Sequence, residues 1–229
     1  MYTLIIGTQN WSSWSLRPYM ALMATGRPFE TIVLRLRRPE TKEEILKFSS
    51  AGKIPVLKIQ EAGSSQTIWD SLAICETLAE RHPEARLLPA DAQARATARS
   101  YAAEMHSGFP DLRDQLGMDY ARTKPMPELR TETEQQVTRI ITAWEEALKR
   151  YGDELISEGG GFLFGRFSIA DCMYAPVVSR FRTYAVTLPP VVQAYADRMW
   201  ALPAMQAWLK ASEREVADGL GDYAAPIVP

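Results

Sequence analysis

The sequence predicts a chain of two unlike parts, a small α/β unit followed by an all-α unit. Two observations carry this expectation. Over residues 1–82, apolar runs alternate with stretches of helical spacing in the order β-α-β-α-β-β-α. Beyond a proline-bearing stretch at 83–90, apolar residues recur at three- and four-residue intervals up to Leu209, with no further strand pattern. A length of 229 residues suits two modest domains. The expected division is 1–82, a linker at 83–90, and 91–229.

The elements follow in order. The run Tyr2-Thr3-Leu4-Ile5-Ile6 is the first strand, Gly7 to Trp11 a turn, and Leu16, Met20 and Met23 fall at helical spacing. The stretch Ser12-Ser13-Trp14-Ser15-Leu16-Arg17-Pro18 therefore sits where a helix begins. Serines there either cap the helix or, with the free N–H groups and the positive dipole end, hold an anion such as a thiolate. Residues 29–36 alternate loosely as a second strand. Arg35, Arg37 and Arg38 follow, either as a solvated loop or as a partner for a substrate carboxylate. Thr41-Lys42-Glu43-Glu44 has capping-box spacing, so a short helix is expected from there to about Ser49. Gly52-Lys53-Ile54-Pro55 leads into a strand through Ile59. Gly63-Ser64-Ser65 reads as a turn and Thr67-Ile68-Trp69 as a short strand. Asp70-Ser71 opens a helix with Leu72, Cys75, Leu78 and Ala79 on one face, which His82-Pro83 stops.

In the second part Asp91 can cap a long helix that Gly108-Phe109-Pro110 interrupts. Val137, Ile140, Ile141, Trp144 and Leu148 mark an amphipathic helix that breaks off at Gly159-Gly160-Gly161. Ser168-Ile169-Ala170-Asp171 opens the next with a capping box in which Asp replaces Glu, and Pro176 lies inside that helix. Two last helices follow, the second opening at Pro203, and the tail from Gly219 reads as irregular.

Composition removes several function classes. The chain is 46% hydrophobic and 24% charged with net charge -2 and pI about 5.8, so no basic excess argues for nucleic acid. No apolar run is long enough to span a membrane. The start of the chain lacks the pattern of a signal peptide. Cys75 and Cys172 lie far apart within helical patterns and read as reduced core thiols, consistent with a cytoplasmic location. Two cysteines and two histidines with no close spacing leave no metal site to expect.

Taken together these pieces resemble the cytosolic glutathione transferases. Ser12-Ser13-Trp14-Ser15-Leu16-Arg17 is similar to the Ser-Ser-Cys-Ser-x-Arg motif of the zeta class, with Trp14 in place of Cys. Gly52-Lys53-Ile54-Pro55-Val56-Leu57 resembles the family's loop before its third strand, where the proline is cis. Asp70-Ser71-Leu72-Ala73-Ile74 resembles its Glu/Asp-Ser-x-Ala-Ile helix start, and residues 167–171 its C-terminal capping motif. A bacterial subgroup shares Ser-Ser-Trp-Ser-Leu-Arg-Pro together with Glu-Met-His-Ser-Gly-Phe, here at 104–109. The resemblance implies a thioredoxin-like N-terminal domain, an all-helical C-terminal domain, glutathione as co-substrate, no metal, and a homodimer.

It also implies a site. Asp70 would accept from the glutathione amine, Ser71 would bind the neighbouring carboxylate at a helix N-terminus, and Ile54, before Pro55, would pair by backbone with the cysteinyl part. Lys53 would meet the glycine carboxylate. Ser12, matching the first serine of the motif, is the expected thiol partner, with Ser13 as competitor. No Cys-x-x-Cys is present, so disulfide exchange through this stretch is not expected. Trp11, Trp14, Met105, His106 and Phe109 are expected to line a pocket for a small hydrophobic electrophile, His106 as a structural histidine rather than a base. The reading is a serine-type transferase adding the thiolate to an electrophilic carbon. One alternative is a glutathione-dependent isomerase of a maleyl-type diacid, which an arginine-lined pocket would favour and whose position the sequence leaves open. Another is a non-catalytic binding module, which usually loses the serine or the Asp-Ser pair.

Overall fold

The computed structural model describes residues 1–152 and 160–220. The first half is a four-stranded sheet in the order β2-β1-β3-β4, formed by β1 (Tyr2–Gly7), β2 (Phe29–Leu34), β3 (Val56–Glu61) and β4 (Ser64–Trp69). Strands β1 and β2 run parallel, with Tyr2 opposite Phe29; β1/β3 and β3/β4 are antiparallel, with Val56 opposite Trp69. Three helices belong to this half: α1 (Ser13–Thr25), α2 (Thr41–Leu46) and α3 (Ser71–Arg81). Side-chain alternation along β1 divides the core. Leu4 and Ile6 join the large core with Leu16, Met20 and Ile74, while Ile5 points the other way, to Leu34, Ile45 and Val56. Helices α1 and α3 therefore cover one face of the sheet and α2 the other.

The second half is helical: α4 (Ala92–Ser107), α5 (Pro110–Gln115), α6 (Thr131–Ala147), α7 (Ile169–Thr183), α8 (Pro190–Ala201) and α9 (Pro203–Ala217). This thioredoxin-like plus all-helical architecture is the expected one. The large core runs through both halves, because α1 packs on α3 and also on α7 and α9. Trp144 is fully buried at its centre, with the Tyr174 and Tyr195 rings edge-on at 5.5 and 5.0 Å.

Several local expectations hold in detail. Asp91 accepts from the Ala94 N–H and opens α4, and the Gly108-Phe109-Pro110 break separates α4 from α5 with Phe109 at φ 61. Others change. Glu40, not Thr41, occupies the N-cap position of α2, without a side-chain cap bond; the Thr41 hydroxyl instead ties the basic loop, donating to the Arg35 carbonyl and accepting from the Arg38 N–H. The second strand ends at Leu34, and β4 begins at Ser64, since Gly63 at φ 79 already completes the hairpin turn. Helix α6 runs into a π turn at Leu148–Gly152; the expected break at Gly159 and the tail beyond Leu220 lie outside the described residues.

The capping box at the start of α7 is the most connected polar feature of the core. Asp171 is fully buried and accepts from the Ser168 N–H, the Ser168 hydroxyl, the Leu163 N–H and the Tyr195 hydroxyl. Burial pushes its pKa up to about 6, against the pull of those four donors. An isolated cap is worth about 1 kcal/mol. Losing Asp171 also strands buried donors, so Asp171→Ala is expected to cost about 2–5 kcal/mol. Chemical denaturation measures this; unchanged stability would contradict a folding role.

Candidate functional site

The site forms where the ends of three loops meet. The loop from β1 to α1 is held from outside its own domain. The Glu215 carboxylate on α9 accepts from the Gln9 and Asn10 N–H groups, both at 2.8 Å, and the Trp208 indole N–H donates to the Gln9 carbonyl. The Asn10 amide donates to the buried Asp119 at 2.7 Å, and its carbonyl oxygen accepts from the Ala121 N–H. This loop delivers Ser12 to the N-terminus of α1. The Ser12 carbonyl opens the helix, accepting from Ser15 and Leu16, but its hydroxyl does not cap it. Instead the Ser12 and Ser15 hydroxyls lie 2.7 Å apart, and the Ser15 oxygen accepts from the Gly7 N–H at 3.1 Å. With Ser15 donating to Ser12, the Ser12 proton is left for an anion.

The second loop carries Lys53, Ile54 and Pro55. The Ile54-Pro55 bond is cis, and Ile54 lies just outside the β3 ladder, which starts at Val56. Gly7 permits the approach: a Cβ there would fall 2.6 Å from the Ile54 side chain. The third loop ends in Asp70, whose backbone adopts φ 54 and ψ 156, a conformation that L residues rarely take. One Asp70 oxygen accepts from the Leu72 N–H at 2.8 Å; the other faces the His106 Nε2 at 3.4 Å. Ser71, the first residue of α3, is buried and its hydroxyl has no partner among the described residues.

These pieces share one cavity of about 690 Å3, lined by Trp14, Lys53, Ile54, Pro55, Asp70, Ser71 and His106 of the expected residues. Ile45, Ala51 and Trp69 complete it and were missed; only Trp69, directly before Asp70 on an edge strand, carried a signal. Ser12 and Ser13 are buried and do not line the cavity, although Trp14 beside them does. Three of the expected pocket residues lie elsewhere. Met105 and Phe109 are 1% and 6% exposed and belong to the large core, because the α4–α5 break turns their side chains inward. Trp11 faces the basic loop, with the Arg37 guanidinium 5.9 Å from its ring; Arg35, Arg37 and Arg38 line this small recess rather than the cavity. A second concavity of about 770 Å3, at the linker near Pro89, Asp91 and Arg166, contains none of the glutathione-motif residues.

Two guanidinia pack against Trp14, one of the cavity-lining residues. The Arg17 guanidinium stacks on the Trp14 ring at 4.2 Å and that of Arg113 at 4.8 Å, while the His106 ring meets its edge at 5.3 Å. Arg17 is 1% exposed, and its Nε and Nη1 have no hydrogen-bond partner among the described residues. Burial, with Arg113 and Arg180 nearby, pulls its pKa down to about 9, which still leaves it charged at neutral pH. Burial also lowers the His106 pKa, opposed by Asp70 and reinforced by Arg17 and Arg113. Among the described residues no cluster of His, Cys, Asp or Glu is built to hold a metal ion, and no helix is long and apolar enough to cross a membrane.

A thioredoxin-like half with a cis-proline loop and an Asp-Ser helix start, joined to an all-helical half, defines a class of thiol-binding two-domain proteins. Within it, the family model described as glutathione S-transferase, N-terminal domain, matches residues 11–81 and the C-terminal one matches 127–211. The maleylacetoacetate isomerase of Rattus norvegicus is 31% identical over 188 residues, covering 78% of each chain. The maleylpyruvate isomerase of a Ralstonia species is 27% identical over 195 residues, 78% of this chain and 82% of that one. The crystal structure of maleylacetoacetate isomerase from Anaeromyxobacter dehalogenans, with bound dicarboxyethyl glutathione and citrate, superposes with a TM-score of 0.65 at 26% identity, covering 98% of each chain. The chain belongs to the glutathione S-transferase family.

Asp70 separates binding from folding in a test. Its carboxylate is 47% exposed, so loss of its charge is expected to weaken glutathione binding by about 1–3 kcal/mol, ten- to a hundredfold, rather than the larger cost of a fully buried pair. Asp70→Asn keeps an acceptor for the Leu72 N–H and should hold the melting temperature while the Michaelis constant for glutathione rises. Unchanged affinity by calorimetry would remove Asp70 from the site.

Proposed function

We propose that this protein is a glutathione-dependent cis–trans isomerase of a maleyl-type diacid. The observation that carries the reading is the pair of guanidinia, Arg17 and Arg113, packed on the ring of Trp14, a residue that lines the cavity collecting Asp70, Ser71 and the Ile54-Pro55 loop. An uncompensated buried guanidinium favours an anionic ligand, and a maleyl diacid brings two carboxylates. The relatives named as isomerases, and the dicarboxyethyl glutathione bound in one of them, agree with such a substrate.

Glutathione would lie along the cis-proline loop. Its ammonium faces Asp70, its γ-glutamyl carboxylate the Ser71 hydroxyl and the α3 N-terminus, and its glycine carboxylate Lys53. The thiolate adds to one alkene carbon, and the electron pair of the double bond moves onto the conjugated carbonyl oxygen as an enolate beside the guanidinia. Rotation about the new single bond and expulsion of the thiolate restore the double bond in the trans form, with no net proton transfer.

The thiolate itself is assigned to Ser12. A thiol of pKa about 8.5 is only about 3% ionised at neutral pH. Lowering that pKa by about two units needs about 2.7 kcal/mol. A charge-assisted hydroxyl bond supplies about 1.5–3 and the helix end about 0.3–1. The Gly7–Ser15–Ser12 hydrogen-bond chain supports Ser12 over Ser13: when Ser15, which accepts from the Gly7 N–H, donates to Ser12, the Ser12 proton is left for the thiolate. The assignment includes domains at 1–82 and 91–229 about the 83–90 linker, a homodimer, and a cytoplasmic location.

Conjugation to a small hydrophobic electrophile is the second reading, favoured by Trp14, which brings an aromatic side chain to the cavity lining where the zeta motif carries Cys. Glutathione balance decides between them. With a maleyl diacid as substrate, proton NMR should show cis-to-trans conversion at constant glutathione; net thiol consumption with an aryl halide or enone, and no conversion, would favour the transferase. Arg113→Gln should raise the Michaelis constant for the diacid about tenfold or more while leaving that for glutathione unchanged.

Ser12→Ala should leave glutathione bound but raise its thiol pKa by about one to two units, cutting the neutral-pH rate about ten- to a hundredfold with partial recovery as pH rises. Thiolate absorbance of the complex against pH is the measurement. A shift confined to Ser13→Ala would transfer the role to Ser13.

A further inference from the structure

We propose that His106 competes with the ammonium of glutathione for one oxygen of Asp70, so that His106 sets the acid limit of glutathione binding. The inference rests on the glutathione reading above, and on geometry that reading does not use.

Asp70 has two oxygens to offer. The first is committed to the Leu72 N–H at 2.8 Å, where it caps α3. The second is the one available to a ligand in the cavity, and it is the oxygen that His106 Nε2 faces at 3.4 Å. The contact joins the two halves of the molecule, from the loop after β4 to the last turn of α4. Both residues line the cavity. At 3.4 Å the bond is long for a hydrogen bond, so neutral His106 occupies the oxygen weakly and an ammonium can share or displace it.

Protonation changes that balance. His106 Nδ1 is buried and has no hydrogen-bond partner among the described residues, and the imidazole also meets the edge of Trp14 at 5.3 Å. The charged groups around it are Asp70 from the loop before α3, Arg17 from α1 and Arg113 from α5; Glu104 on its own helix is engaged with Arg139. Burial and the two guanidinia keep the ring neutral at neutral pH. As pH falls, the imidazolium becomes a second cation aimed at the same oxygen. Its bond to Asp70 is then charge-assisted, and it repels the incoming ammonium. Glutathione affinity therefore falls with pH. By linkage, bound glutathione lowers the His106 pKa further.

S-methylglutathione isolates this effect. It has no titrating thiol, and its ammonium and carboxylates keep their charges between about pH 5.5 and 7.5. Calorimetry with the intact protein should show its affinity falling about three- to tenfold from pH 7.5 to about 5.5 for wild type, and staying level for His106→Gln. The proton resonances of His106 should titrate to a lower pKa with S-methylglutathione present than without it, a readout that does not need the variant to fold. Equal pH dependence in wild type and His106→Gln, affinity that rises on acidification, or an unshifted His106 pKa would each overturn the competition. Absence of S-methylglutathione binding to wild type at about pH 7.5 would instead overturn the glutathione reading itself.

Discussion

The candidate site depends on the hydrogen bonds by which the helical half holds the β1–α1 loop. Glu215 accepts two consecutive backbone N–H groups, Gln9 and Asn10, and Trp208 donates to the Gln9 carbonyl, so both ends of one turn are satisfied from α9. Burial raises the Glu215 pKa and the two N–H donors lower it, as for a carboxylate held in place by backbone dipoles. Asn10 adds a second tether to Asp119 and Ala121. Ser12 and Trp14 follow this turn immediately. The position of the α1 N-terminus is thus set jointly by the sheet it leaves and by the helices it packs against, and the two halves cannot shift independently without disturbing it.

The cavity is a place of unequal charge. Behind the cavity-lining Trp14, Arg17 and Arg113 pack on its ring, with Arg17 buried and its Nε and Nη1 unpartnered among the described residues. Asp70 is the acidic group, half-exposed and shared between a helix cap and His106. A buried guanidinium without a counter-ion is expensive in a stable fold, and an anionic ligand offsets that cost. In the proposed mode the glutathione ammonium meets Asp70, and the diacid carboxylates meet the cationic side. The same asymmetry keeps His106 neutral at ordinary pH, since Arg17 and Arg113 oppose its charging as burial does.

Much of the fold was legible because it is written in local terms. Alternation in β1, turn residues at Gly63, caps at Asp70, Asp91 and Ser168, and the Gly108-Phe109-Pro110 break act over a few residues. The Asp-Ser and Ile-Pro pairs could be named because each resembles a short family motif at an element boundary. Thr41 was misread as a cap because a hydroxyl has more than one neighbour, and the turn formed by Arg35 and Arg38 took it. Met105 and Phe109 were misplaced because an apolar residue near a helix break has no sequence mark that separates a cavity wall from a core.

By itself the sequence pointed to Asp70-Ser71 and Ile54-Pro55 through family resemblance, and determined the order and type of most elements and the division into an α/β half and a helical half. These depend on spacing along the chain, which a sequence displays directly. The tertiary structure alone decided that Arg17 on α1 and Arg113 on α5 pack on the same ring, that His106 on α4 faces Asp70 across the halves, and that Glu215 holds a turn 205 residues earlier. Such contacts join residues whose separation in sequence bears no relation to their distance in space. Packing of α1 against α7 and α9, and of α3 against α4, brings the two halves together.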